Sequence, residues 1–208
     1  MGCGTGTWLR AASELGVSDL FGIDGMDIPA DQLLIESDRF KKCDLTAPVQ
    51  LGRSFDAVLC LEVAEHLDAS CASTLVQTLV KHSHTIVFSA ACPGQPGQHH
   101  INCQWPQYWQ DLFNASGYGC DDSLRWRIWN DSRIEPWYRQ NIFVASRSDS
   151  AGQERRIPSL HHPEMIPMMV EASFAEHAAE IENGRMPARW YLKALPKAFV
   201  RKIRRKLT

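Results

Sequence analysis

Gly2-Cys3-Gly4-Thr5-Gly6, running straight into Thr7-Trp8-Leu9-Arg10, is the stretch on which the reading of the fold turns. Glycines at alternate positions permit positive φ and let a backbone approach a ligand closely. A helix starting immediately afterwards offers free N–H groups and a partial positive charge at the same place. Working outward, the apolar run Ser18–Asp24 (SDLFGID) reads as a strand and ends in an acid 18 residues beyond Gly6. In dinucleotide-binding α/β folds, an acid about 20 residues after the glycine turn accepts hydrogen bonds from ribose hydroxyls. Taken singly, the turn could be a tight strand-to-helix connection and Asp24-Gly25 an ordinary turn. Taken together they predict a site for an adenosine-type cofactor.

The rest of the chain alternates in the same manner. Phe55–Leu61 (FDAVLCL) and Thr85–Ala91 (TIVFSAA) are short apolar runs of the kind buried on both faces of a parallel sheet. Helical segments are expected at Trp8–Leu15, stopping at Gly16, and at Ala69–His82, where Leu75, Val76, Leu79 and Val80 share a face. Trp105–Ser116 has Trp105, Tyr108, Trp109, Leu112 and Phe113 at helical spacing, with Pro106 in the first turn and Gly117 past the end. Late strands are expected at Leu124–Trp129 and Asn141–Ala145. The fold class is α/β, a doubly wound, mostly parallel sheet followed by a helical C-terminal tail.

At this point the sequence resembles the class I S-adenosylmethionine-dependent methyltransferases, in the branch that carries an E-H-L signature. The resemblance rests on Gly2–Gly6 (GCGTG), Asp24, Asp44-Leu45 within KKCDL, and Phe55–Leu67 (FDAVLCLEVAEHL), in the family's order over about residues 2–146. It implies a Rossmann-like methyltransferase fold and S-adenosylmethionine as cofactor. The implied cofactor residues are Gly2, Cys3, Gly4, Gly6, Asp24, Asp44, Leu45, Leu61 and Glu62, with Asp44-Leu45 meeting adenine. A cap on the turn at Leu45-Thr46 is the competing reading of Asp44. The family's hydrophobic first strand, expected between the strands carrying Asp24 and Leu61, has no counterpart before Gly2. The fold is therefore expected to lack that strand, and the chain to be truncated at its N-terminus.

Glu62, Glu65 and His66 form an E-x-x-E-H cluster whose spacing would place all three on one face of a helix. Three readings stand: polar residues fixing a loop against the cofactor, His66 or Glu65 as a general base on the acceptor, and a divalent metal site. The metal reading, with His99 or His100 as a further ligand, is suggested by similar runs in other methyltransferases and is the less favoured one. Downstream, Pro93–Trp109 (PGQPGQHHINCQWPQYW) is rich in Gly, Pro and polar residues, as segments shaping an acceptor pocket are. His99, His100 and Asn102 are its candidate substrate contacts. Its N-x-x-W-P-x-Y-W run is similar to that of bacterial methyltransferases encoded among glycan and cell-surface genes. Trp105 and Trp109 read as helix core, and core packing is the preferred reading of Trp126, Trp129, Trp137 and Tyr138.

Function follows as methyl transfer to a small-molecule or glycan acceptor, with O-methylation as one form of it. The alternatives are a non-catalytic, truncated methyltransferase-like protein and, less favoured, a nicotinamide-dependent oxidoreductase. The latter conflicts with the G-x-G-x-G spacing, which is not G-x-G-x-x-G.

Composition bounds these readings. The 208 residues, 44% hydrophobic and 22% charged with a net charge of −2, exclude collagen-like and largely disordered chains. Seven cysteines without a C-x-x-C pair argue against a disulfide framework or a zinc knuckle and for a reduced, cytoplasmic setting. Charge is uneven: residues 1–150 hold 11 basic and 18 acidic side chains, residues 151–208 hold 11 and 6. The shift near Ser148–Gln153 sets the expected domains at 1–147 and 148–208. In the tail, Val170, Phe174, His177, Ala178 and Ile181 share a helical face ending at Asn183-Gly184. A basic helix from Leu195 to Leu207 has Leu195, Phe199 and Ile203 spaced by four among Lys193, Lys197, Arg201, Lys202, Arg204, Arg205 and Lys206. Docking by its narrow apolar stripe is the preferred reading of that helix, weak membrane-surface contact comes second, and nucleic acid is disfavoured.

Overall fold

The computed structural model describes the backbone of residues 1–206 and the side chains of residues 1–197. The elements in order are α1 (Thr7–Glu14), β1 (Gly22–Asp24), β2 (Phe40–Lys42), β3 (Val58–Leu61), α2 (Ala72–His82), β4 (Thr85–Ser89), α3 (Pro106–Ala115), β5 (Tyr118–Asp121), α4 (Ser123–Ile128), α5 (Pro136–Asn141), β6 (Phe143–Arg147), α6 (Met165–Glu182) and α7 (Ala188–Lys206). Two compact units divide the chain, Met1–Ile166 and a second from Pro167 onward. The composition shift at Ser148–Gln153 falls within the first. Beyond it, Glu154 accepts hydrogen bonds from Asn114 Nδ2 and Gln110 Nε2 (2.6 and 3.1 Å), and Ile157 belongs to the core.

The strands form two sheets. β1 pairs with β2 in parallel, and a four-stranded sheet has the order β3-β4-β6-β5. β3 and β4 are parallel, while β6 runs antiparallel to both β4 and β5. Three strands of this sheet therefore share one direction and β6 alone opposes them. The expectation of a mostly parallel sheet holds for strand direction. The ladders themselves are mixed, because β6 inserts between β4 and β5.

Among the described residues no strand lies between β1 and β3. The first three residues connect the two sheets: the Met1 amino group donates to the Leu59 carbonyl (2.7 Å) and the Cys3 amide to the Ile23 carbonyl (3.1 Å). A cavity of about 710 Å³ opens there, lined by Trp8, Leu9 and Ala12 of α1 and by Phe21, Val58 and Leu79 among others. This explains why α1 is amphipathic yet holds no buried residue.

The core is built on Phe88 of β4. Its ring meets Trp109 and Phe113 of α3 and Phe143 of β6 at 5.2–5.4 Å. Trp109 is buried, as its helical spacing predicts, whereas Trp105 stands at the helix N-cap against His161.

Two local expectations are corrected. Leu124–Trp129 is not a strand but lies in and just beyond α4. The LRWRIW run is helical instead, with Asp121 Oδ1 accepting the Ser123 amide just ahead of it (2.6 Å) and Asp122 Oδ2 the Trp126 indole N–H (3.1 Å). The strand instead is Tyr118–Asp121, which pairs with β6. Similarly, the last strand starts at Phe143 rather than Asn141, because Pro136 opens a helical turn that runs to Asn141.

In the second unit, α6 covers the expected face, but Val170 and Phe174 on it are exposed. α7 begins before Leu195, and the side chains of residues 198–208 lie outside those described. No described helix is long and apolar enough to cross a membrane.

Because Phe113 and Phe143 are fully buried against Phe88, Phe113→Ala or Phe143→Ala should each cost about 3–5 kcal/mol of unfolding free energy. Urea titration followed by tryptophan fluorescence measures this.

Candidate functional site

The glycine turn sits at the head of α1, with Gly2, Gly4 and Gly6 all at positive φ (64°, 51° and 92°). Two of the three are glycine for packing. A Cβ at Gly2 would lie 2.2 Å from Val63 Cγ2, and one at Gly6 3.2 Å from Ile35 Cγ1. At Gly4 a Cβ would meet nothing within 4 Å, so this position alone faces open space. Its amide donates to Asp24 Oδ2 at 2.7 Å, and Met26 donates to Oδ1 at 2.8 Å. Asp24 is buried at the end of β1. Each of its oxygens retains a lone pair, so the carboxylate is fixed without being exhausted. Cys3 is part-buried behind the turn, and burial raises its thiol pKa.

Asp44 is exposed. Its Oδ1 accepts both the Thr46 amide (2.9 Å) and the Thr46 hydroxyl (2.6 Å), which hold its carboxyl below the ordinary range. The turn-capping reading of Asp44 is therefore realised in the structure. Leu45 is buried in the core, and Leu61 closes β3 half-buried.

The E-x-x-E-H cluster departs from the helical expectation. Glu62 stands at φ 53°, a left-handed conformation that costs a non-glycine residue about 1–3 kcal/mol. Its amide is anchored on Ser89 O (3.0 Å) and Ser89 Oγ (3.2 Å), continuing the β3–β4 ladder. Its carboxylate accepts from Gln95 Nε2 (2.8 Å) and Asn141 Nδ2 (3.2 Å), while burial raises its pKa. After this kink a 3₁₀ turn, Ala64–His66, sends Glu65 inward and His66 outward. The three residues thus share no helix face, because the strained Glu62 precedes the turn rather than starting a helix.

Glu65 is fully buried, and neither carboxylate oxygen has a hydrogen-bond partner. Burial, reinforced by the charge of Glu62, pushes its pKa up to about 8. Such a group must be neutralised, by a proton or by a cation. The neighbouring donors are His66 and His100, whose rings meet edge-on at 5.0 Å; one ligand atom from each of the three residues lies within 4.8 Å of the others. His66 Nδ1 faces the His99 carbonyl (3.2 Å) and His100 Nδ1 the Gln95 carbonyl (3.3 Å). A carbonyl only accepts, so both neutral rings carry their proton on Nδ1 and keep the Nε2 lone pair free. Burial lowers the His100 pKa. A carboxylate and two imidazoles fit a divalent ion in kind, but Glu62, the other expected carboxylate, is already engaged by Gln95 and Asn141.

Of the candidate substrate contacts, His99 (φ 57°) turns its carbonyl, not its ring, to His66. Asn102 is buried, with its amide on Glu65 O (3.0 Å) and its side chain receiving Gln104 Nε2 (3.1 Å). Its amide thereby braces Glu65, and its Nδ2 has no hydrogen-bond partner. Sequence reasoning missed Gln95, Gln140 and Asn141. Asn141 Nδ2 donates to Gln95 Oε1 (2.8 Å) and Gln140 Nε2 to Cys92 Sγ (2.9 Å), forming a buried polar layer behind Glu62. The run Arg139-Gln140-Asn141 between apolar neighbours was its only trace in the sequence.

Residues 1–86 match the family model described as a methyltransferase domain. That stretch holds the glycine turn, Asp24 and the E-H-L run. No curated protein sequence matches the chain. Among solved structures, it is similar to magnesium protoporphyrin IX methyltransferase from Synechocystis PCC 6803 with bound SAH, at 20% identity and a TM-score of 0.49 over 71% of this chain and 72% of that one. The methyltransferase domain of bacterial CtHen1-C has 16% identity and a TM-score of 0.49, covering 71% of this chain and 87% of that one. An O-methyltransferase of a trans-AT PKS multienzyme from Brevibacillus brevis has 14% identity and a TM-score of 0.49, covering 83% and 76%.

The raised pKa of Glu65 has a signed consequence. Above the unfolded value of 4.5 the unfolded chain releases this proton while the folded chain keeps it to about 8. The group's stabilising contribution is therefore complete below the unfolded pKa and is lost as pH rises through the folded one. Glu65→Gln should gain stability relative to the parent between about pH 5 and about pH 8, seen in urea midpoints across that window.

Proposed function

We propose that the chain binds S-adenosylmethionine across the Gly4 turn and Asp24, and that it methylates a hydroxyl of a small-molecule or glycan acceptor presented beside His66. The observation that carries the reading is the pairing of an open Gly4 with a fixed Asp24 carboxylate directly behind it. Gly4 leaves room for the cofactor's backbone-facing edge, and the spare lone pairs of Asp24 are placed to accept ribose hydroxyls. When bound, S-adenosylmethionine supplies a methyl group already activated by its sulfonium.

The chain's own residues then have distinct tasks. Gly2 packs on Val63, which brings the cofactor turn against the segment carrying Glu62, Glu65 and His66. Glu65, with a pKa of about 8, holds its proton at neutral pH and cannot serve as the base. His66 is exposed, with Nδ1–H directed to the His99 carbonyl and Nε2 free. It is the group that takes the acceptor's proton as the new bond forms. Of the two general-base candidates read from the sequence, the geometry favours His66.

Calorimetric titration of the chain with S-adenosylmethionine tests the first half: Asp24→Ala should weaken binding by at least about tenfold, and a well-folded parent that gives no heat overturns the reading. Steady-state kinetics tests the second: His66→Ala should lower kcat by about a hundredfold or more with cofactor affinity unchanged.

A further inference from the structure

We propose that α7 docks on an anionic lipid surface, a binding property separate from the methyl-transfer reading and carried by the second unit alone. The helix holds eight Lys and Arg residues and no Asp or Glu. In a helix that is merely solvated, acids are usually interspersed at i, i+4. Here the four acids of the hairpin are confined to α6, at Glu171, Glu176, Glu180 and Glu182. Arg189, Lys193 and Lys197 are exposed and make no ion pair among the described residues.

The apolar residues occupy another side. Leu192 and Leu195 are 72% and 54% exposed, and Phe199 and Ile203 follow Leu195 in the sequence at steps of four. At 100° per residue Lys193 and Lys197 lie about 100–160° round the helix from Leu192 and Leu195. The α6–α7 turn itself is firmly built. Gly184 (φ 70°) closes α6 with the Arg185 amide on Glu180 O (2.9 Å), and the Tyr191 hydroxyl donates to Ile181 O (2.8 Å). The uncovered leucines are thus a feature of a defined hairpin.

Phosphate-bearing partners in general would satisfy the charge. Only a bilayer surface also gives the apolar row a place to go, since such helices bury that face at the headgroup–acyl boundary. A nucleic acid would take the cations and leave Leu192 and Leu195 in water. The proposed occupant is therefore a membrane leaflet containing anionic lipid.

Co-sedimentation of the full chain with phosphatidylcholine vesicles, with and without about one part in four of phosphatidylserine, is the test. The chain should pellet with the anionic vesicles only, and less so as salt rises. Leu192→Glu combined with Leu195→Glu, and separately Lys193→Glu combined with Lys197→Glu, should each lower partitioning by at least about tenfold. All four positions are exposed, so each variant should unfold at the parent's temperature. No partitioning into anionic vesicles, parent-like binding by the leucine pair, or retention on a DNA duplex at a salt that releases the vesicles would each overturn the proposal.

Discussion

Asp24 holds the site together. Its carboxylate takes the amide protons of Gly4 and Met26 at 2.7 and 2.8 Å, from a buried position at the end of β1. Charge-assisted bonds of this kind are stronger than neutral ones, and stronger still where water is excluded. They lock a three-glycine turn that would otherwise sample many conformations, and the entropy lost by such a segment is large. With the turn locked, Gly2 can sit on Val63, α1 can begin at Thr7, and Gly4 is left facing open space.

The second half of the site is organised by strain and burial. Glu62 is held in a left-handed conformation by the ladder to Ser89 and by Gln95 and Asn141 on its carboxylate. That kink ends β3 abruptly and turns the next residues so that Glu65 enters the interior and His66 leaves it. Two carboxyls brought this near cannot both ionise at low cost. The surroundings resolve the conflict by giving Glu62 two amide donors and Glu65 none. The pair is therefore unequal: burial raises both pKa values, but the Glu62 carboxylate has amide donors that Glu65 lacks. Ionisation is thereby separated from His66, whose Nε2 is the accessible lone pair.

The break between β1 and β3 bears on both halves. Each half of the site is anchored to a different sheet, Asp24 on the first and Glu62 on the second. Met1–Cys3 and the Gly2–Val63 contact join the two at this seam, and Arg53 pairs with Asp19 across its cavity. The seam holds a cavity rather than a ladder, so the spacing between the glycine turn and the acid cluster depends on few backbone hydrogen bonds. Gly2, Cys3 and Leu61 line that cavity, while Asp24, Asp44, Glu62 and Glu65 do not.

Local chemistry made part of this legible in advance. Glycines at alternate positions, an acid at a strand tip and apolar residues three and four apart are signals written within a few residues. From them followed the turn, Asp24, α1, α2, α3 and the strands carrying Leu61 and Phe88. Tertiary structure decided what depends on distant partners. Tyr118–Asp121 became a strand because β6 lay beside it, and LRWRIW became a helix that buries Arg125. The burial of Glu65 and Asn102, the exposure of His66, and the support of Glu62 by Gln95 and Asn141 could not be read from spacing. Burial and pKa are set by what packs around a group, and those neighbours lie about 30 to 80 residues away in the chain; only folding brings them together.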